Sequence, residues 1–287
     1  MRFLQVWNVP VRALALVSRV SIRRSESVRP SIHERPRGVA ANGKGWNFIA
    51  AGIVLVLICG IGRSVGGDPD SSRMARPDIY LRDLTLELSH QWPKNRTVNV
   101  VCHGHSVPAG YFQTPVVDTF NAYPHLLHRG LKERFPYAVL NVIVTAIGGE
   151  NSESGAKRFE RDVLSLRPDL ITIDYALNDR GIGLARAEAA WKAMIAQAQA
   201  AHVPVILLTP TPDTSARLDD PADPLNQHAE QIRRLAREQG VALVDSLARF
   251  KERVAAGEKL ESLMSQVNHP NRKGHDLVVT ELLKWFP

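Results

Sequence analysis

From Asp78 onward, apolar positions switch repeatedly between helical spacing and short β-branched runs. Leu81, Leu84, Leu86 and Leu88 give helical periodicity across 78–92, and Thr97–Cys102 (TVNVVC) is the first strand expected. A helix over 122–135 leads to a second strand at 138–145. A helix over 152–166 leads to a third at Asp169–Asp174 (DLITID). An Ala-rich helix over 184–201 precedes a strand at 203–209, a helix over 225–239 precedes one at 241–245, and a helix from about 272 to 285 follows. Strands that alternate with helices imply right-handed crossovers and a parallel sheet covered on both faces. The expected fold is therefore α/β: a three-layer α/β/α, flavodoxin-like arrangement with a parallel sheet of about five strands. No repeat of fixed period is visible. In such sheets ligands bind at the carboxyl ends of the strands, so the polar residues placed there matter most.

The segment before the folded part has a different character. Asn47–Gly62 (NFIAAGIVLVLICGIG) is a strongly apolar run of sixteen residues between Lys44 and Arg63. A comfortable membrane span needs roughly 20 residues, so the length suits a signal-peptide h-region or a short membrane anchor. A buried core helix is the plainer alternative. The Arg-rich stretch ahead of it fits either an upstream start or a cytoplasmic tail. Cys59 follows Ile58, which is too large for a lipoprotein cleavage site. The resulting division is a basic N-terminal extension over 1–46, an h-region or anchor over 47–63, a Gly/Pro/Ser/Asp-rich linker over 64–77 and a folded domain over 78–287. It implies an exported domain, periplasmic or membrane-anchored through 47–63.

Charge sharpens that division. The chain carries 36 basic and 29 acidic residues, a net of +7. Eight Arg, Lys44, Glu26 and Glu34 lie within 1–46 and account for the whole excess, leaving 27 residues of each sign beyond it. The domain has no surplus positive field to attract phosphates, which argues against nucleic-acid binding. Two cysteines make no disulfide framework.

Four expected loops at the carboxyl edge carry groups suited to acyl transfer. They are His103-Gly104-His105-Ser106, Gly148-Gly149-Glu150-Asn151, Ala176-Leu177-Asn178-Asp179 and Gln266-Val267-Asn268-His269-Pro270-Asn271. Ester hydrolysis needs a nucleophile, a base for its proton and donors for a tetrahedral oxyanion. Ser106 supplies the hydroxyl and His269 the imidazole. Gly149 allows close backbone approach, and the Asn178 amide is a further donor. Each residue alone has an ordinary reading: a loop serine, a turn, a helix cap. The conjunction carries the argument.

In that order these blocks resemble the SGNH or GDSL hydrolase superfamily, over about residues 95–287. The resemblance implies a carboxylic ester hydrolase with Ser106, Gly149, Asn178 and His269 as its catalytic residues, no cofactor and no metal. It also implies a small-molecule ester as substrate, with short acyl groups on carbohydrates as one candidate. Three positions depart from the family pattern. His105 stands where the family has Asp, with little loss expected. Ala176 stands where it has Gly, which would narrow the pocket. Gln266 stands where the family places the Asp that orients the histidine. Either a Ser–His pair suffices, or a carboxylate such as Asp213 or Asp245 assists. The alternatives to an esterase are a catalytically silent binding protein of the same fold and a metal-dependent hydrolase using His103 and His105. Cys102 lacks any feature that would activate a thiol. Trp191, Trp285 and His275 read as packing residues.

Overall fold

Val98, Val100 and Cys102 point into one buried cluster and their neighbour Val101 into another, and the same alternation runs through Ile206 and Leu208 against Val205 and Leu207. Two-sided burial of this kind is what a parallel sheet requires. The computed structural model describes residues 75–287. Its elements are α1 (Arg82–Leu88), β1 (Thr97–Gly104), α2 (Ser106–Ala109), α3 (Tyr123–Arg134), β2 (Val139–Val144), α4 (Ser152–Lys157), α5 (Phe159–Asp162), β3 (Leu170–Asp174), α6 (Ala176–Asp179) and α7 (Leu184–Ala200). They continue with β4 (Val205–Leu208), α8 (Pro224–Gln239), β5 (Ala242–Val244), α9 (Ser246–Ala255), β6 (Met264–Gln266), β7 (His269–Pro270) and α10 (Arg272–Leu283).

The five long-range strands pair in parallel in the order β2-β1-β3-β4-β5. One face packs against α1, α3, α9 and α10 through residues such as Leu88, Leu127, Phe250 and Leu282. The other packs against α5 and α7 through Phe159, Trp191 and Ile195. The amphipathic helix α8 contributes Leu225 and Ala229 to the first core, and Ile232 and Leu235 to the second. The expected three-layer α/β/α architecture is the one found. Trp191 and Trp285 are buried packing residues, as expected.

The expectation of one helix over 152–166 is corrected. The segment breaks into α4, α5 and a 3-10 turn over Leu164–Leu166, because Arg158 leaves helical geometry and turns its guanidinium into a buried network. The short helices α2 and α6, the helix α9 and the antiparallel pair β6–β7 were not expected. The sequence assignments over 1–46, 47–63 and most of the 64–77 linker lie outside the described residues. Among the described residues no helix is long and apolar enough to cross a membrane.

His103, His228 and His275 sit inside this framework with little access to water. Burial pushes their imidazoles down from 6.5 to about 4, 4 and 3 respectively. The unfolded chain takes up protons below pH 6.5, whereas the folded chain takes them up only near pH 4 and below. Stability therefore falls as pH drops through that window, by about 1.4 kcal/mol per pH unit for each histidine. The urea midpoint should decline steadily from pH 6.5 to 4. His275→Asn keeps an acceptor at the δ position for the Tyr123 N–H that Nδ1 now accepts, and should flatten the decline.

Candidate active site

The first strand ends at Gly104 because its backbone must pass close to β3. A Cβ at Gly104 would stand 2.4 Å from the Asp174 carbonyl oxygen, the atom that accepts the His105 N–H at 3.2 Å. Immediately afterwards the chain turns into α2, whose first residue is Ser106. The His105 side chain caps that turn by accepting the Val107 N–H at 3.3 Å. The Ser106 N–H, first in the helix, has no intrahelical acceptor.

His269 reaches Ser106 from 163 positions away. Its Nε2 lies 2.9 Å from the Ser106 Oγ, and its Nδ1 lies 3.1 Å from the carbonyl oxygen of Phe112. A carbonyl can only accept, so Nδ1 carries the proton of the neutral ring and Nε2 presents its lone pair to the serine. Burial lowers the His269 pKa; the Phe112 bond raises it, nearby His105 lowers it, and the net position is below the ordinary 6.5.

β6 and β7 hold the imidazole in place. Ser265 Oγ donates to the His269 carbonyl at 3.0 Å, and Asn271 caps α10 by accepting the Gly274 N–H. The 111–117 loop that carries the Phe112 carbonyl is tied to the same hairpin. Gln266 Oε1 accepts the Thr114 N–H at 2.9 Å, and Gln113 Nε2 donates to the Ser265 carbonyl.

Gln266 thus does not stand in for the missing acid. Its side chain touches Thr114 and Asn268, and the Phe112 main chain orients the imidazole. Neither carboxylate considered as a substitute is available. Asp213 is engaged by Arg180 at 2.7 Å and by Ser215; burial pushes its carboxyl up, but these bonds outweigh that and leave it low. Asp245 caps α9 and binds Arg233 at 2.6 Å.

Gly149 adopts φ +78° with open space where a Cβ would stand, and it is exposed. Its loop lies beside the Ser106 turn, since the Ile147 N–H donates to the Gly104 carbonyl at 3.0 Å. A Cβ on Gly148 would meet the Tyr111 ring at 2.8 Å, and that ring also faces His269 with centroids 5.8 Å apart. Asn178, in α6, donates one Nδ2 hydrogen to the Glu150 carbonyl at 2.9 Å and keeps the other. The Gly149 loop and the Asn178 helix are therefore locked together.

Behind them lies a buried polar network that sequence reasoning missed. Arg158 binds Glu150, and both contact the Tyr175 hydroxyl, which donates to Glu150 at 2.7 Å. The same hydroxyl lies 3.1 Å from His103 Nε2, while His103 Nδ1 lies 2.9 Å from Thr145 Oγ1. Asp179 accepts the Ser152 N–H at 2.8 Å and the Trp191 Nε1–H at 2.7 Å. The acidic residue beside a basic one eight positions on, Glu150 and Arg158, was the available signal for an ion pair that spans a helix break.

Other expectations resolve plainly. Ala176 does not narrow a pocket, because it is fully enclosed in the α7-side core. His275 is a buried structural residue. Cys102 is fully buried and burial pushes its thiol up to about 12. The metal reading of His103 and His105 fails on geometry. The His103 ring is committed to Thr145, Gly155 and Tyr175, His105 Nδ1 accepts the Val107 N–H, and among the described residues no group of three His, Cys, Asp or Glu could hold a metal ion. A groove of about 920 Å³, lined by residues such as Leu184, Glu188, Leu218 and Arg234, contains none of Ser106, Gly149, Asn178 or His269.

The model of the GDSL-like lipase/acylhydrolase family matches residues 102–277, which include all four loops. The chain belongs to this family. It is a carboxylic ester hydrolase of SGNH type. No match was found among curated proteins. Among solved structures, an acetylxylan esterase from Geobacillus stearothermophilus is 20% identical with a TM-score of 0.58, over 66% of this chain and 94% of that one. Variants of that enzyme described as catalytic mutants replace a serine, a histidine and an aspartate. A two-domain esterase active on acetylated mannans is also 20% identical, with a TM-score of 0.59, over 72% of this chain and 52% of that one. At this identity the likeness establishes a shared fold.

Because Gln266 does not touch the imidazole, Gln266→Ala should lower kcat for ester hydrolysis by about tenfold at most, as expected for the loss of single neutral hydrogen bonds. A fall near the roughly 10⁴-fold seen when a triad acid is neutralised would assign Gln266 a direct role after all.

Proposed function

We propose that this esterase works through an acyl-enzyme on Ser106 and cleaves short acyl groups from carbohydrate hydroxyls. The observation that carries the reading is the 2.9 Å contact from Ser106 Oγ to His269 Nε2, with Nδ1 capped by the Phe112 carbonyl.

In the first half-reaction His269 Nε2 takes the Ser106 proton as Oγ attacks the ester carbonyl. The carbonyl π electrons move onto oxygen. The Ser106 N–H, the Gly149 N–H and the free Nδ2 hydrogen of Asn178 are the donors for that oxyanion. Collapse breaks the bond to the alcohol, which leaves with the proton from Nε2. In the second half, water gives its proton to His269, attacks the acyl carbon and releases the acid, and the proton returns to Oγ.

A short acyl group agrees with a nucleophile that lies outside the groove of about 920 Å³. The carbohydrate alcohol is supported by the acetylated-polysaccharide substrates named for two proteins of the same fold. Ile147, Val267, Val116 and Val117 are exposed on the loops that carry Gly149, His269 and the Phe112 carbonyl, and they give the site an apolar rim. The apolar run over 47–63 supports an exported or anchored enzyme, acting where such substrates occur.

A fluorophosphonate should label the wild type and fail on Ser106→Ala, and acetylated xylo- or manno-oligosaccharides should release acetate only with the former. An unlabelled wild type would overturn the serine mechanism. The lowered His269 pKa fixes a sign for pH dependence. The base must be neutral to act, so the acid limb of kcat/KM should lie below pH 6.5, with activity holding as pH rises from there through neutrality.

A further inference from the structure

Ser106 is flanked by a second imidazole. His105 is fully buried, and its Nδ1 lies 3.4 Å from the Ser106 Oγ and 3.3 Å from the Val107 nitrogen. A backbone N–H can only donate, so Nδ1 must be the bare nitrogen and Nε2 must carry the proton. Nε2 faces Asp174 Oδ1 at 3.4 Å, an electrostatic contact without hydrogen-bond alignment, and neither atom has a hydrogen-bond partner. Asp174 is itself 2% exposed. The same residue holds His105 twice, since its carbonyl accepts the His105 N–H, an approach that only a glycine at 104 allows.

We propose that His105 is a positioning residue for the nucleophile, with Asp174 as the carboxylate that fixes its tautomer. This rests on Ser106 being the nucleophile. With the proton on Nε2, facing the Asp174 carboxylate, the Nδ1 lone pair secures the Val107 N–H and with it the first turn of α2. That turn sets the direction of the Ser106 side chain and leaves the Ser106 N–H open to the oxyanion. Because Nδ1 is already engaged by Val107, it competes weakly for the serine proton, which goes to His269 at the shorter distance. The opposite tautomer would point an N–H at the Val107 N–H and spoil the turn. The Gln266 position holds no carboxylate for His269; the buried carboxylate of this site lies on the other side of the serine and acts through the residue next to it.

His105→Asn and His105→Gln separate the two ends of the ring. Asn places an acceptor at the δ position without reaching Asp174; Gln reaches Asp174 but has nothing at δ. The measurements are the fluorophosphonate labelling rate, kcat and KM for p-nitrophenyl acetate, and Tm, on these two variants, Asp174→Asn, Ser106→Ala and the wild type. His105→Gln and Asp174→Asn should lose about ten- to a hundredfold in labelling rate and kcat with KM little changed, the range for one hydrogen bond to a charged group. His105→Asn should stay within a few-fold of wild type. A purely structural role would lower Tm in all three variants and leave the rate of the folded fraction untouched, which would overturn the proposal. Wild-type rates in His105→Gln would overturn it too. Failure of Ser106 itself is distinguishable, because the wild type would then not label.

Discussion

A neutral imidazole carries one proton, and the base role proposed for His269 depends on which nitrogen holds it. The Phe112 carbonyl decides this by accepting from Nδ1, which leaves Nε2 bare toward Ser106. Bonds from the neighbouring loop and hairpin keep that carbonyl and that ring in register. Gln266 and Gln113 bind the 111–117 loop to the β6–β7 hairpin, Ser265 ties β6 to β7, and Asn271, directly after the hairpin, caps α10. A carbonyl supplies direction but little charge. The imidazolium formed in each half-reaction is therefore stabilised less than it would be beside a carboxylate. Burial acts in the same direction, since it favours the neutral ring.

The acceptor side of the site is built by different means. Gly149 carries its donor on a backbone with positive φ, and that conformation is held from behind by Glu150. The Glu150 side chain is buried against Arg158 and Tyr175 while its carbonyl takes the Asn178 amide. Removing one partner of such a pair strands a buried charge, at about 3–5 kcal/mol. The network thus exchanges tolerance to substitution for a fixed placement of the Gly149 loop and Asn178, the donors proposed for the oxyanion, and His103 completes it in its neutral form.

The fold was legible in the sequence because the β-branched runs ending at Cys102, Asp174 and Thr209 sit at carboxyl edges that must be buried on two faces. The pairing of Ser106 with His269 was legible because chemistry restricts which side chains can serve as nucleophile and base. The Phe112 carbonyl was not, since every residue has one and only the path of the loop selects it. The same holds for the break at Arg158: the periodicity over 152–166 is helical, and the competing attraction of Glu150 and Tyr175 comes from residues distant in space until the sheet forms. β6 and β7, three and two residues long, are too short for any pattern to register. Ala176 shows the reverse error, where a family position suggested a pocket and the side chain packs into the core.

The proposed base comes from a segment that follows all five strands of the sheet in the chain, and the proposed nucleophile from the end of the first. A partly folded molecule can therefore possess the whole sheet, the serine and the oxyanion loop and still be chemically inert. On the proposed mechanism, hydrolytic competence appears only when the β6–β7 hairpin docks. Esterase activity is accordingly a stricter gauge of complete folding than any spectroscopic signal from the sheet, and a nick near residue 260 would silence the enzyme while sparing most of its secondary structure.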